Sequence, residues 1–194
     1  MRHPISKGLR VYNVFFTMPL QKWEALKREI VFQKYKRVIE RVDFKLPDGR
    51  VEDYYLQVWF SPICVLPITK RNTVVLVKQY RPGPDEILCE IPGGGMDANE
   101  TPEQAAQREL LEETGYAGKL QLVTRSILDA YSAGERYCFV ATQCEKVAEP
   151  KPDANEFLEP VELSLDEFRK LLRSGRLTDV EVGYLGLDYL GLLK

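Results

Sequence analysis

The sequence predicts an α+β fold, an α/β/α sandwich built around a mixed β-sheet. Segments with the alternating pattern of strands stand before, between and after segments with helical spacing. Turn and capping signals separate these segments. The chain has 194 residues, 44% hydrophobic and 29% charged, which suits one globular domain with a small appendage.

The first half of the chain predicts one helix and four strands. Apolar residues at helical spacing, among them Trp23 and Ile30, predict a helix from Leu20 to Tyr35. Pro47-Asp48-Gly49 is a turn signal between two alternating segments, so we expect a hairpin there. The predicted strands are Arg37–Phe44, Val51–Phe60, Ile63–Ile68 and Thr73–Gln79.

The second half predicts three helices. Thr101 as N-cap, Pro102 at the first position and Gln104 in a capping box begin one helix, and Gly115 is placed to end it. Strands follow at 120–128 and 136–144. A second capping box at 164–167 begins a helix that reaches Gly175, and a last helix is predicted over 179–192.

Composition favours a soluble, cytoplasmic protein. The formal net charge of −2 gives no support for a nucleic-acid partner or a membrane surface. The apolar N-terminal segment VYNVFFTMPL is interrupted and has no cleavage site, and no run is long enough to span a membrane. Four cysteines without a CxxC pair, beside a single histidine, indicate buried free thiols in a reducing compartment.

A run of carboxylates, RELLEETG, ends the helix that precedes Gly115. At about 100° per residue, Glu109, Glu112 and Glu113 share one arc, where like charges destabilise a helix. Only Glu112 has a basic residue, Arg108, at a neighbouring helical position. Two of the three carboxylates therefore lack a local partner, which indicates that a cation balances this face.

The ion that suits this cluster is Mg²⁺ or Mn²⁺, because hard divalent cations prefer carboxylate oxygens. A glycine-rich loop, Pro92-Gly93-Gly94-Gly95, lies just before the helix. Its bare backbone can approach a ligand closely, and the carbonyl of Gly93 can complete the ligand set. Divalent ions held without cysteine or histidine suit phosphate chemistry, where they neutralise a pyrophosphate and activate the attacking water.

The loop and helix together resemble the Nudix box: Gly, five residues, Glu, seven residues, Arg-Glu-apolar-x-Glu-Glu-x-Gly-apolar. The matching residues are Gly94, Glu100, Arg108, Glu109, Leu110, Glu112, Glu113, Gly115 and Tyr116. Tyr116 is a loose match, since the family usually has an aliphatic residue there. The resemblance implies an α/β/α sandwich of Nudix type that hydrolyses a nucleoside diphosphate linked to another moiety.

The same resemblance implies roles for individual residues. The implied metal ligands, which would also be catalytic, are Glu109, Glu112, Glu113 and the carbonyl of Gly93. The residues that would brace the loop against the helix are Gly94, Glu100 and Arg108.

Segments outside the box are similar to the ADP-ribose pyrophosphatase branch: LPDGR at 46–50, VVLVKQYRPG at 74–83, EILCEIPGG at 86–94 and DANEFLEPVELSLDEF at 153–168. In that branch Arg81 would bind the substrate phosphates and Glu90 would lie near them or the ribose. The alternatives are a surface arginine and a carboxylate paired with a neighbour. Glu156, on a mobile acidic loop, would be the general base, with Asp153 and Glu159 as alternatives.

Substrate choice is less sharply indicated than the chemistry. The branch usually has a proline about sixteen residues past the box, and this chain has Ala133 there, between Ser132 and Gly134. ADP-ribose is the first expectation, with GDP-mannose and other nucleotide sugars next. Ser132, Glu135 and Arg136 would face the substrate, or would belong to a structural hairpin. Rival readings are a Nudix hydrolase for a nucleoside triphosphate or dinucleoside polyphosphate, and a binding module that does not hydrolyse its ligand.

The resemblance also implies a division of the chain. Residues 1–60 would form an N-terminal dimerisation segment, with the Nudix domain at 61–194, because related enzymes are commonly homodimers whose N-terminal strands pack across the partner. One of the aromatic residues of this region would stack on the substrate base, or all of them would face the protein core from the predicted N-terminal helix; they are Trp23, Phe32 and Tyr35.

Overall fold

The computed structural model describes residues 20–58 and 61–194, which form three helices and eleven strands. The strands are β1 (Glu24–Lys34), β2 (Arg37–Lys45), β3 (Val51–Val58), β4 (Pro62–Thr69), β5 (Thr73–Arg81), β6 (Glu86–Glu90), β7 (Gly93–Gly95), β8 (Tyr116–Ile127), β9 (Ser132–Ala133), β10 (Glu135–Lys146) and β11 (Leu158–Ser164). The helices are α1 (Pro102–Thr114), α2 (Leu165–Ser174) and α3 (Val180–Tyr189).

The larger sheet has the strand order β11-β5-β4-β10-β8, with β6 paired to β5 and β7 paired to β4. Its central pair, β4 and β10, is parallel and the other pairs are antiparallel, so the sheet is mixed as predicted. A second sheet has the order β1-β2-β3-β9. The two-residue strand β9 joins this second sheet to the segment that leads into β10.

Helices cover both faces of the larger sheet. Successive residues of a strand point to opposite faces, and β4 follows this rule. Ile63 and Val65 pack in the layer that contains Leu110 of α1, whereas Leu66 packs in the layer that contains Phe168 of α2. All five side chains are at most 1% exposed. The prediction of an α/β/α sandwich is therefore confirmed.

The ends of α1 lie where the sequence predicts. Thr101 accepts a hydrogen bond from the backbone N–H of Gln104, and the Gln104 side chain accepts one from the backbone of Thr101. Gly115 ends the helix in the left-handed conformation, with φ of +74°. Added there, a Cβ would also collide with the carbonyl of Ala148, so both the turn and the packing require glycine.

The predicted helix over residues 20–35 is wrong, because this segment forms β1. Its backbone pairs with β2 from Glu24 to Lys34, and every residue of the strand is exposed. Helical spacing of apolar residues predicts a helix only when one face is buried, and here the backbone pairing decides the conformation. The core-facing reading of Phe32 and Tyr35 fails with it, since these side chains are 50% and 88% exposed. Trp23 packs against Phe44 and Tyr54.

The other predicted elements are confirmed with small shifts. The hairpin joins β2 to β3 through 46–50, with the described part of the second strand ending at Val58. The Ser164–Glu167 capping box begins α2 as expected. The last helix is shorter than predicted, from Val180 to Tyr189. The apolar N-terminal segment at 11–19 and the end of the predicted strand, at 59–60, lie outside the described residues.

The cysteines are free thiols, as the sequence predicts. Cys64, Cys138 and Cys144 are buried and Cys89 is half-buried. Within the described ranges, none of the helices has the length and apolar character needed to cross a membrane.

Candidate active site

The glycine-rich segment forms a short strand beside the first residues of β4. Gly93 pairs with Cys64, and a Cβ on Gly93 would lie only 2.9 Å from the Cα of Cys64. The backbone N–H of Gly93 points across to α1 and donates a 2.9 Å hydrogen bond to Oε2 of Glu113. The absence of a side chain at Gly93 therefore allows strand β7 to lie between the central sheet and the acidic helix.

Glu109 lies against the next glycine of this strand. A Cβ on Gly94 would be 2.6 Å from Cδ of Glu109, and it would overlap one carboxylate oxygen. Real Cβ atoms do not approach other heavy atoms this closely, so the position of the Glu109 carboxylate depends on glycine at 94. Two of the predicted ligands, Glu109 and Glu113, are thus fixed by consecutive glycines.

Arg108 is the hub of the polar contacts on this side of α1. Its Nε and Nη2 atoms donate to the two oxygens of Glu100, at 2.8 and 2.9 Å, and Nη2 also donates to the carbonyl of Gly95. Its Nη1 atom donates to Glu109 at 2.8 Å and to Glu112 at 3.1 Å. Hydrogen bonding to Arg108 lowers the pKa of Glu100 to about 2.

The expectation that two of the three helix carboxylates lack a basic partner is therefore wrong for Glu109. It was based on helical spacing, in which Glu112 is the only neighbour of Arg108. The long arginine side chain also reaches Glu109, the next residue in the chain. Of the three, only Glu113 has no ion-pair partner among the described residues.

Glu113 is a buried carboxylate, with 3% of its surface exposed. Burial raises its pKa to about 8, against the opposing hydrogen bond from Gly93, and the charges of Glu109 and Glu156 contribute to the increase. Burial also raises the pKa of Glu109, although Arg108 opposes it. A positive charge placed beside these carboxylates would favour the ionised form of both.

A hard divalent cation fits the chemistry of this donor set, because the side chains on this face of α1 offer carboxylate oxygens. The carboxylates do not form a preformed coordination site. Within residues 20–58 and 61–194, no group of three acidic, histidine or cysteine side chains is placed to hold one metal ion. Arg108 already binds oxygens of both Glu109 and Glu112, so a cation would compete with it for them.

Arg81 and Glu90 form an ion pair beside this cluster. Arg81 ends β5 and Glu90 ends β6, and the guanidinium donates to both carboxylate oxygens, at 2.7 and 2.5 Å. Gln79 donates a third hydrogen bond to Glu90, which is 3% exposed. Hydrogen bonding to Glu90 raises the pKa of Arg81, and the negative charge of Glu113 acts in the same direction. The pair therefore lies within electrostatic reach of the acidic helix.

The acidic loop begins against the end of α1. The backbone N–H of Lys151 donates a 2.7 Å hydrogen bond to the carbonyl of Glu112. Further along, Asp153 and Glu156 are joined by two hydrogen bonds, one between backbones and one to the Glu156 side chain. The Glu156 side chain is exposed, yet its charge contributes to the raised pKa of both Glu109 and Glu113. The loop thus brings Glu156 near the helix carboxylates.

The residues predicted to face the substrate from the segment around β9 each bind a different neighbouring side chain. Ser132 donates to Asp129 at 2.5 Å, and Glu135 forms a 3.4 Å ion pair with Arg125. Arg136 turns towards the start of α3, where it pairs with Asp179 at 2.9 Å and with Glu181. The structure does not bring this group into contact with the helix carboxylates.

Sequence reasoning overlooked Lys36, which lies at the turn between β1 and β2. Its Nζ is 3.2 Å from the position that a Cβ would occupy on Gly95, and its charge helps to lower the pKa of Glu100 after the larger effects of Arg108 and the Asp97 N–H. Fifty-nine positions separate Lys36 from Gly95 (95 − 36). No local pattern in the sequence signals a contact over that distance.

The described structure combines a mixed sheet between helices with a glycine strand that packs against an acidic helix. Comparison with known protein families identifies the class to which such a chain belongs. The NUDIX domain matches residues 58–181. The chain is a member of the NUDIX domain family.

Individual relatives agree with this assignment. The chain is 33% identical over 153 residues to an ADP-ribose pyrophosphatase of Bacillus subtilis (strain 168), covering 77% of this chain and 82% of the relative. It is 28% identical over 172 residues to a methanol dehydrogenase activator of Bacillus methanolicus, covering 85% and 93%. The fold matches the crystal structure of an ADP compounds hydrolase with a TM-score of 0.75 at 23% identity, over 90% of this chain and 97% of the other.

Proposed function

We propose that this protein hydrolyses the pyrophosphate bond of ADP-ribose or a related nucleoside diphosphate sugar, with release of a nucleoside monophosphate and a sugar phosphate. The proposal rests mainly on the packing of two helix carboxylates against consecutive glycines. Glu109 lies against Gly94, and Glu113 accepts a hydrogen bond from Gly93. The charge of Glu113 also acts on Arg81, which is paired with Glu90. The similarity to an ADP-ribose pyrophosphatase over 77% of the chain supports the substrate class.

Nudix hydrolases generally use divalent cations, and we propose Mg²⁺, with Mn²⁺ as the alternative. The residues that would hold it are Glu109, Glu112, Glu113 and the carbonyl of Gly93. Bound there, the cation would neutralise the pyrophosphate and lower the pKa of the attacking water. Gly94, Glu100 and Arg108 would hold these ligands in place through the contacts between loop and helix.

Arg81 would bind a phosphate of the substrate, because its planar guanidinium suits oxyanions. Both oxygens of Glu90 accept hydrogen bonds from that guanidinium, so Glu90 would orient Arg81 and share it with the phosphate of the substrate. Ser132 and Glu135 are proposed to contact the sugar end of the substrate, from the segment around β9. Their present partners, Asp129 and Arg125, would set their orientation.

We propose Glu156 as the general base that removes a proton from the attacking water. Its charge reaches Glu109 and Glu113, and its exposed position on the loop leaves it able to move. Glu156→Gln should lower kcat by about 10²- to 10⁴-fold with little change in KM. Steady-state kinetics of this variant, with Glu159→Gln as the matched control, measure the effect. An equal loss in both variants, or none in Glu156→Gln, would reassign the base.

The substrate and the reaction are tested together by phosphorus NMR of incubations with ADP-ribose, GDP-mannose and UDP-glucose in the presence of Mg²⁺. AMP and ribose phosphate as the two products of ADP-ribose are the expected result. Preferred cleavage of GDP-mannose would move the assignment to another nucleotide sugar. Release of inorganic phosphate or pyrophosphate from nucleoside triphosphates, or intact ligand after long incubation, would favour the rival readings.

We further propose that the protein is a homodimer that uses residues 1–60, and that it is cytoplasmic. Strand β1 is an edge of its sheet in the described part of the chain, and apolar residues such as Ile30 and Phe32 are at least half exposed on it. Sedimentation velocity at micromolar concentrations should give about twice the 22.3 kDa chain mass. A single 22.3 kDa species at every concentration would contradict the dimer.

The free thiols support a reducing compartment, which cell fractionation would test.

A further inference from the structure

The two arginines beside the glycine strand already have carboxylate partners. Arg108 donates to Glu100, Glu109 and Glu112. Arg81 donates to both oxygens of Glu90. A pyrophosphate diester brings two further negative charges to a site that already contains the carboxylates of Glu109 and Glu113. A positively charged side chain with no carboxylate partner of its own would therefore favour binding of the pyrophosphate at this place.

Lys36 is such a group. Lys34 pairs with Arg37 across the hairpin, so the loop contains only Tyr35 and Lys36, and the position of Lys36 follows from the strand register. Its ammonium lies beside Gly95, as described above. None of the ion pairs and hydrogen bonds found in the described ranges includes Lys36. An ammonium group offers three donors, and here they remain available.

The acidic group whose pKa Lys36 helps to lower, Glu100, does not account for this placement. Glu100 accepts two hydrogen bonds from Arg108 and one from the backbone N–H of Asp97. Its two oxygens are therefore satisfied, and Lys36 acts on it only through space. Because Gly95 has no side chain, Lys36 can lie directly against the backbone of strand β7, with its ammonium 3.2 Å from the position of an added Cβ.

We propose that Lys36 is a substrate-binding residue whose ammonium contacts a phosphate of the bound pyrophosphate beside Gly95. The proposal rests on the proposed function for the identity of the anion. It gives the hairpin of β1 and β2 a role in the active site of its own chain, in addition to any role in assembly. Lysine binds phosphate as a point charge, so its contribution should depend on charge more than on geometry.

The test compares three variants of the full chain. Lys36→Gln removes the charge and keeps most of the length, Lys36→Arg keeps the charge, and Lys34→Gln removes a lysine two residues away on the same hairpin. Lys34 is a suitable control, because its ammonium lies over the ring of Tyr35, at 5.6 Å. Lys36 is exposed, so all three variants should unfold at the wild-type temperature.

Binding is measured by calorimetry with methylene diphosphonate, a non-hydrolysable pyrophosphate mimic, in the presence of Mg²⁺. Lys36→Gln should bind at least about tenfold more weakly than the wild type, and its KM should rise to a similar extent, because a charged hydrogen bond to phosphate is lost. Lys36→Arg should retain most of the affinity and Lys34→Gln should match the wild type. Unchanged affinity in Lys36→Gln, or an equal loss in Lys34→Gln, would overturn the proposal.

The outcomes also separate this proposal from the proposed function. A wild type that cleaves ADP-ribose, with a Lys36→Gln variant of equal KM and equal affinity for the mimic, would refute the role of Lys36 alone. A wild type that cleaves none of the nucleotide sugars, yet loses affinity for the mimic in Lys36→Gln, would refute the proposed substrate and support Lys36 as an anion-binding residue.

Discussion

Glu113→Gln is expected to lower kcat by about 10²- to 10³-fold, the range for loss of one preorganised electrostatic contact to the reacting group. Glutamine has nearly the same shape as glutamate, and its carbonyl can still accept the hydrogen bond from Gly93. It cannot supply the negative charge that would bind the cation. Steady-state hydrolysis of ADP-ribose at saturating Mg²⁺ measures the effect, with Glu103→Gln, an exposed carboxylate in the first turn of the same helix, as the control.

The fold of this variant should survive. The wild-type side chain is 3% exposed and has no ion-pair partner in the described residues, so a neutral amide removes the cost of burying an ionisable group. Thermal unfolding without metal should therefore occur at or above the wild-type temperature. Added Mg²⁺ should raise the unfolding temperature of the wild type more than that of the variant. Turnover near the wild-type rate would rule out Glu113 as a metal ligand.

Gly94→Ala is expected to reduce kcat by about a hundredfold, through displacement of Glu109 and without loss of any functional group. The new Cβ would lie 2.6 Å from Cδ of Glu109, so the carboxylate must move away from its present position. Misplacing a reacting or binding group by about 1 Å is enough for an effect of this size. Overpacking should also cost about 1–3 kcal/mol of the free energy of unfolding.

Gly83→Ala provides the matched control for this second variant. Gly83 lies in the turn between β5 and β6, two residues after Arg81, and an added Cβ there meets no atom within 4 Å. Activity and urea unfolding of both variants should be measured side by side. Wild-type kinetics in Gly94→Ala would show that Glu109 can move without consequence. An equal loss of kcat in Gly83→Ala would show that the effect does not depend on the collision with Glu109.

Local signals in the sequence are sufficient to predict several of the helices and strands around the site. Helix α1 has its capping box at Thr101 and its glycine stop at Gly115, and both act within a few residues. The predicted pairing of β2 with β3 likewise depends on a short turn. Strand β1 was predicted as a helix because its conformation is set by its pairing with β2, and spacing within the segment does not reveal that pairing.

The electrostatics of the site were less accessible from the sequence. Spacing along a helix identified Glu112 as the partner of Arg108, but the arginine also reaches Glu109 and Glu100. The burial of Glu113 depends on strand β7, which packs against it from twenty residues away. The position of Lys36 requires the three-dimensional arrangement of both sheets. The burial of Glu113 and the position of Lys36 arise from tertiary packing, which no local pattern in the sequence reveals.

The hydrogen bond from Lys151 to the carbonyl of Glu112 has a mechanical consequence for the acidic loop. It attaches the start of the acidic loop to the part of α1 that contains the clustered carboxylates. Four residues lie between this anchor and Glu156, so the five steps of fully extended chain reach no farther than about 18 Å. The Glu156 side chain therefore stays close to α1, and a shift of the helix would move the proposed general base together with the proposed metal ligands.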